Sequence, residues 1–314
     1  MESLFRVSSS PHIRSKQTVS NIMRDVVIAL LPATFAGVYY FGLPALVLIL
    51  LSVGSAVATE FIVQKYLRKQ KATIKDWSAV VTGMLLAFNI PSTAPWWLVV
   101  VGSAFAIAIV KQAFGGLGHN FMNPALAARA MLMASWPVEM TNWVSTRLAD
   151  SVAGPTPLGI IGEKLSVALP SMTDVIIGNV GGCIGETSVV AILIGAAYLI
   201  YRGVISIRIP AAYIGTVFIL AFFFTGFDLY MSTYNLFIGG LMLGAFFMAT
   251  DYSSSPSNPK GQIIFGIGCG VIATVIRFYG GYPEGVSYSI ILMNVASPLI
   301  EKYSSSRVFG GAKK

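Results

Sequence analysis

From residue 25 almost to its end, the chain alternates long apolar stretches with short polar ones. A bilayer core about 30 Å thick takes about 20 helical residues to cross, since an α-helix rises about 1.5 Å per residue. Runs of that kind are predicted near 25–42, 43–64, 78–94, 96–114, 121–137, 184–201, 209–226, 232–250, 261–279 and 285–301. Several are interrupted by Gly or Pro, which leaves them open to being broken or re-entrant helices. About two dozen mostly polar residues precede the first run, with no small-residue cleavage site. The first helix is therefore expected to act as its own insertion signal.

Composition sharpens this picture. With 55% hydrophobic and 11% charged residues and a mean hydropathy of +0.74, the chain is far from a soluble average, so its expected partner is the lipid bilayer. The net charge of +8 invites a nucleic-acid reading, but the basic residues are segregated by loop. With ten spans and a cytoplasmic amino terminus, 17 of the 21 basic residues fall on one side. They include Arg6, Arg24, the loop of Lys65, Arg68, Lys69, Lys71 and Lys75, then Lys111, Arg202, Arg208 and Lys260. Arg147 and Lys164 fall on the other side, while Arg129 and Arg277 lie inside runs. By the positive-inside rule both termini are cytoplasmic, and nucleic acid is not an expected partner.

The expected fold is all-α integral membrane, with about ten transmembrane helices in two inverted five-helix repeats. Gly83-Met84-Leu85-Leu86-Ala87-Phe88 echoes Leu241-Met242-Leu243-Gly244-Ala245-Phe246, and Phe114-Gly115-Gly116 echoes Tyr279-Gly280-Gly281. An odd number of spans per copy turns the second copy upside down and places a functional site between the halves. Chance similarity within an apolar alphabet is the alternative. The predicted organisation is a cytoplasmic segment (1–24), a first half (25–137), an extracytoplasmic loop (138–183), a second half (184–302) and a cytoplasmic tail (303–314). Cys183 and Cys269 lack the number for a disulfide framework and the Cys-x-x-Cys spacing of a metal site, and read as small apolar residues.

Candidate chemistry is concentrated at a few positions. The long loop holds Asp150-Ser151-Val152-Ala153-Gly154-Pro155-Thr156-Pro157-Leu158, whose turn-forming residues are expected to leave the Thr156 hydroxyl exposed and approachable by an enzyme. A structured turn is the plainer reading. Asn120 and Asn123 precede a helix start, where amides and unpaired N–H groups either hold a ligand, cap the helix, or do both. Arg129 falls mid-run and needs an anion or a partner such as Glu186. Glu60, Glu186 and Asp251 are the carboxylates in or bordering the helices and are candidates for an ion path, with Glu60 alternatively paired to the basic loop after it. His119 is a candidate proton relay or an ordinary helix-end histidine. Gly266-x-Gly268-x-Gly270 lies within an apolar span with no strand before it, so it marks close helix packing rather than a dinucleotide site. The Ser- and Pro-rich stretch 253–259 is expected to be a flexible connection without chemistry.

Five spaced motifs carry a family resemblance. The Asp150 to Leu158 stretch resembles the flavin-attachment motif of the RnfD and NqrB family, matching it at Asp150, Gly154, Thr156 and Leu158 and departing at Ala153 and Pro155. Gly115-Gly116-Leu117-Gly118-His119-Asn120-Phe121-Met122-Asn123-Pro124-Ala125 resembles its Gly-Gly and Asn-Pro signature. Gly185-Glu186-Thr187-Ser188 resembles its Gly-Glu-Thr-Ser motif. Ala249-Thr250-Asp251 and Phe278-Tyr279-Gly280-Gly281-Tyr282-Pro283-Glu284-Gly285-Val286 complete the set, the last being closest to the Rnf branch.

The resemblance implies FMN joined to Thr156 by a phosphoester bond. It also implies a second, non-covalent flavin, riboflavin or FMN, near Asn120 and Asn123, with Arg129 as a candidate phosphate or flavin partner. The implied role is one component of a translocase in a prokaryotic cytoplasmic membrane, an Rnf-type complex that passes electrons between ferredoxin and NAD and moves Na+ or H+. The implied partners are the A, B, C, E and G components of that complex and a flavin transferase. The B component of a Na+-pumping NADH:quinone oxidoreductase and a non-redox channel or secondary transporter are the alternatives.

Overall fold

The computed structural model describes residues 17–70, 73–143, 154–162, 166–280 and 285–305. Among these the secondary structure is helical, without a strand. In order the helices are α1 (Val19–Phe41), α2 (Leu43–Ile62), α3 (Ser78–Phe88), α4 (Trp96–Phe105), α5 (Pro124–Ser135), α6 (Pro137–Met140) and α7 (Pro157–Gly162). Then come α8 (Met172–Ile177), α9 (Val189–Tyr201), α10 (Arg208–Phe224), α11 (Leu229–Phe237), α12 (Leu241–Leu243), α13 (Pro259–Tyr279) and α14 (Gly285–Ser304). Wider π-helical turns prolong α2 (Val63–Leu67), α4 (Ala106–Gln112) and α12 (Gly244–Met248).

Local sequence sets these boundaries. Thr18, Asn123, Ser188, Asp228 and Asn258 each cap the helix that follows, accepting a backbone N–H of its first turn. Pro124 and Pro259 take the first helical position, where a missing N–H costs nothing. Gly42, at φ 73°, turns the chain between α1 and α2.

Every predicted apolar run carries helix, but the runs differ in length. Among the described residues three helices are long and apolar enough to cross a membrane: Val19–Phe41, Leu43–Leu67 and Pro259–Tyr279. The 232–250 run is bent by 64° between Leu229–Phe237 and Leu241–Met248. Ser78–Phe88, Trp96–Gln112, Val189–Tyr201 and Arg208–Phe224 are shorter apolar helices. With 11 residues α3 reaches about 16 Å, roughly half the apolar thickness.

The short helices α3 and α9 have one cause. Asn89-Ile90-Pro91 stops α3, because the residue before a proline is driven out of the helical region. Ahead of α9, Cys183-Ile184-Gly185 is equally non-helical. These two breaks pair antiparallel in the interior, with Gly185 N–H donating to the Phe88 carbonyl at 3.0 Å and Ile184 N–H to the Ile90 carbonyl at 3.1 Å. Non-helical backbone at such depth is tolerated because it satisfies itself. A Cβ on Gly185 would lie 2.2 Å from Phe88 Cβ, so only glycine allows the crossing.

Around this crossing α1 packs on α9, α2 on α3 and α4, and α13 on both α10 and α14. Asp25 on α1 accepts from Tyr198 and Arg202 at the end of α9, the latter an ion pair of 3.1 Å. The stretch after Asp251, expected to be flexible, is instead pinned. Ser253 and Ser254 donate to the Asp251 carboxylate, Asn294 donates to the Ser254 carbonyl, and Ser257 donates to Glu301.

Candidate functional site

Two cavities, each mainly apolar with a few polar groups, lie at the two ends of α9. Glu186 and Thr187, just before its first residue, line one; Leu199 and Val204, at and beyond its last turn, line the other. The 13 residues of α9 set them about 20 Å apart along its axis.

The larger cavity holds about 740 Å³ of empty space, counted to its open mouth, and is walled by Ile22, Val26, Leu85, Leu117, Phe246 and Phe247. Its polar lining brings together Ser78, Lys111, Asn120, Asn123, Thr250 and Asp251. The π-helical turns of α4 and α12 supply Lys111, Phe246 and Phe247, which turns side chains out of the regular helical register at this spot.

Asn120 and Asn123 are therefore neighbours at one site, though they do different work. Asn123 is the cap of α5. Its Oδ1 accepts from Ala125 and Leu126 N–H, its Nδ2 donates to the Met248 carbonyl, and its N–H donates to Asn294. Asn120 donates to the Met122 carbonyl at 3.1 Å, and among the described residues its Oδ1 accepts no hydrogen bond. Both are buried, at 4% and 3% exposure. Asp251 is at the mouth, its carboxylate held by Ser253 and Ser254. His119 is exposed on the loop that enters the site.

Sequence reasoning missed Lys111, which charge counting had placed among the basic loops. It is 1% exposed, and its ammonium lies 2.9 Å from Glu60, itself 1% exposed, and 2.6 Å from Ser78 Oγ. Gln112 and Gln64 also donate to Glu60 Oε1, at 2.8 and 3.1 Å. Among the described residues Glu60 thus pairs with a lysine on the π-helical turn of α4 rather than with the basic loop after it. That turn swings Lys111 inward, where its charge is matched.

The smaller cavity, about 340 Å³, is lined by Thr156, Leu158, Val175, Glu186, Phe237 and Gly239, among others. Here the structure corrects the expected exposure of Thr156. The residue is 7% exposed, and its Oγ1 accepts the Gly159 N–H at 3.1 Å at the start of α7. Leu158 is 3% exposed and packs with Val175, Tyr234 and Ile238, which draws the segment into the protein. Among the described residues the Thr156 hydroxyl donates no hydrogen bond, so its hydrogen can be replaced by an ester bond without breaking a contact. Gly154 donates to the Trp143 carbonyl, and Asp150 lies outside the described residues. Glu186 Oε1 accepts the Cys183 N–H at 2.9 Å.

Arg129 lines neither cavity. From α5 its guanidinium reaches Asn89 Oδ1 at 2.7 Å and Cys183 Sγ at 3.7 Å, one residue from each side of the crossed backbone breaks. It holds the crossing together.

A sequence profile of the NQR2, RnfD, RnfE family matches residues 6–310. The chain belongs to the NQR2, RnfD, RnfE family. It is a multi-pass membrane protein, in keeping with its apolar helices. It is 57% identical over 309 residues to the D component of the Na(+)-translocating ferredoxin:NAD(+) oxidoreductase complex of Acetobacterium woodii, covering 98% of this chain and 96% of that one. To the D component of the proton-translocating ferredoxin:NAD(+) oxidoreductase complex of Clostridium ljungdahlii it is 44% identical over 322 residues, covering 98% and 97%. To the D component of the ion-translocating oxidoreductase complex of Shewanella amazonensis it is 36% identical over 341 residues, covering 98% of each.

Proposed function

We propose that this chain is the flavin-carrying membrane component of an Rnf-type complex, in which electron transfer between ferredoxin and NAD is coupled to Na+ or H+ translocation. Near-full-length identity to the D components of Na+- and H+-translocating ferredoxin:NAD oxidoreductases supports the complex and its chemistry. The observation that carries the flavin reading is the placement of Thr156 and the Asn120–Asn123 pair in separate cavities, one at each end of α9.

In this reading the chain has ten spans in two inverted halves and both termini in the cytoplasm of a prokaryotic cell. Thr156 faces the outer side and carries FMN through a phosphoester bond made by a flavin transferase. The Asn120 cavity faces the inner side and takes a second flavin, riboflavin or FMN, without a covalent bond. The A, B, C, E and G components bring the electron donor and acceptor, since no motif here binds an iron-sulfur cluster or a nicotinamide. A bound flavin would supply reversible electron storage at each position.

The residues present fit such groups. The Thr156 hydroxyl has no acceptor to lose among the described residues, and Asn120 Oδ1 is available to an N–H donor inside an apolar wall. Glu60, Glu186 and Asp251, at or near the two cavities, are the carboxylates an ion path would use. Because Thr156 is buried, the transferase must meet this segment before α7 seats, or with it lifted.

The test is in-gel flavin fluorescence after denaturing electrophoresis of the full chain co-expressed with a flavin transferase. The natural chain is expected to fluoresce and Thr156→Ala to be dark. A dark natural chain, or fluorescence that persists in the alanine variant, overturns the covalent assignment.

A further inference from the structure

Arg277, on α13, differs from the buried Lys111 in what holds its charge. It is 6% exposed, and its guanidinium donates to the carbonyls of Asn235 at 2.6 Å, Ile238 at 3.0 Å and Gly239 at 3.0 Å. All three acceptors are neutral. Among the described residues no carboxylate comes within ion-pair distance of it, and its buried Nε has no hydrogen-bond partner. Lys111 and Arg202, by contrast, each have a carboxylate at about 3 Å. A full charge whose direct contacts are all dipoles, with the Glu186 carboxylate acting on it only from beyond contact, is costly deep in an apolar protein, and such a group has room for an anion.

The Thr156 cavity is where an anion would meet it. Arg277 is not itself in the lining of that cavity, but Ile238 and Gly239, whose carbonyls receive its guanidinium, line it together with Thr156. Gly239 adopts φ +65°, and a Cβ there would fall 2.5 Å from Leu158 Cδ2 and 3.4 Å from Arg277 Nη2. The bare glycine thus lets the guanidinium and the 156–158 segment approach one backbone position. The cavity also holds Glu186, whose Oε1 is engaged by the Cys183 N–H, so an anion entering here meets one carboxylate as well as the cation.

We propose that Arg277 is the positioning residue that receives the phosphate of the group esterified to Thr156. A phosphodiester keeps one negative charge, and a guanidinium matches two of its oxygens better than any other side chain does. The sequence offered Arg129 as a partner of the non-covalent flavin; its guanidinium contacts Asn89 and Cys183 at the crossed breaks. The inference rests on the covalent flavin reading and extends it to a counter-charge.

The test compares the full chain, produced with and without a flavin transferase, as the natural sequence, Arg277→Gln and Arg277→Lys. Covalent flavin is read by in-gel fluorescence, and stability by thermal unfolding in one detergent. Attachment is expected to raise the melting temperature of the natural chain, and Arg277→Gln to lose that rise. Loss of covalent fluorescence in a folded Arg277→Gln chain also counts for the assignment. An equal drop with and without flavin marks a merely structural arginine and overturns it. If the glutamine variant does not fold, the lysine variant decides: it keeps the charge and loses the fork, so its rise should be smaller, and a rise equal to the natural one overturns the assignment. A natural chain without covalent flavin overturns the flavin reading itself, and this inference with it.

Discussion

The two ends of α9 handle buried charge in opposite ways. At the Asn120 end, Lys111 and Glu60 neutralise one another, and Ser78, Gln64 and Gln112 satisfy what remains of their hydrogen-bonding capacity. At the Thr156 end, Arg277 is held by carbonyls alone and one of its nitrogens has no partner. The first arrangement is complete as it stands. In the second, Glu186 acts on the guanidinium without touching it, and in the reading proposed above a bound anion completes the arrangement. Two sites in one fold can thus be told apart by whether the counter-charge is in contact. A closed pair supports a cavity that accepts a neutral ring system, and an open cation supports one that accepts a phosphate.

The largest expected effect comes from breaking the closed pair. Lys111→Met leaves the Glu60 carboxylate buried with amide and no cationic donors, and removing one partner of a buried ion pair costs about 3–5 kcal/mol. Lys111→Met combined with Glu60→Gln removes both charges and should recover a good part of that loss. Thermal unfolding of the two variants in detergent gives the comparison. A double variant no more stable than the single one would show that the pair is not what holds this end together. The corresponding experiment at the other end is the flavin-dependent one on Arg277, because there the proposed partner is not part of the chain.

How much of this contrast was legible in the sequence depends on the length scale. The apolar runs placed the helices, since period and length are carried by every residue in a run. The Asn123–Pro124 signal placed the start of α5, while the same signal at Asn258–Pro259, which starts α13, went unread inside the stretch expected to be a flexible connection. The pairing of two non-helical breaks was not legible, because it joins residues nearly a hundred positions apart through backbone hydrogen bonds, although Pro91 and the glycines around Cys183 marked both ends. Lys111 was misread because a lysine at the end of an apolar run looks the same whether it flanks the membrane or turns inward on a π-helical turn. Thr156 was found by its motif and misplaced in exposure, since nothing local says that Leu158 anchors the segment against Tyr234. Arg277 stands just before the last motif, yet nothing in the sequence shows that its direct acceptors are carbonyls.

A middle-sized effect separates the two asparagines. Asn123→Ala removes a cap that holds two N–H groups of α5, and loss of such a cap costs about 1 kcal/mol. It also frees the Met248 carbonyl and should lower the melting temperature whether or not a flavin is bound. Asn123→Asp keeps the cap acceptor and should restore most of the stability, which distinguishes capping from a general loss of packing.

The smallest effect on stability is expected at Asn120, and it bears most directly on function. Asn120 caps no helix; its one hydrogen bond among the described residues goes to the Met122 carbonyl two positions away. Replacing it by alanine removes a local loop contact of about 1 kcal/mol or less and leaves α5, its cap and the Lys111–Glu60 pair untouched. What it does remove is an amide oxygen that, among the described residues, meets no protein donor. Asn120→Ala should therefore melt close to the natural chain while releasing the non-covalent flavin, read as the flavin recovered in the supernatant after denaturation. Covalent fluorescence at Thr156 serves as the internal control, since that cavity is about 20 Å away along α9. An alanine variant that keeps its full complement of non-covalent flavin would reduce Asn120 to a loop contact and leave Asn123 as the only amide of the pair available to a ligand.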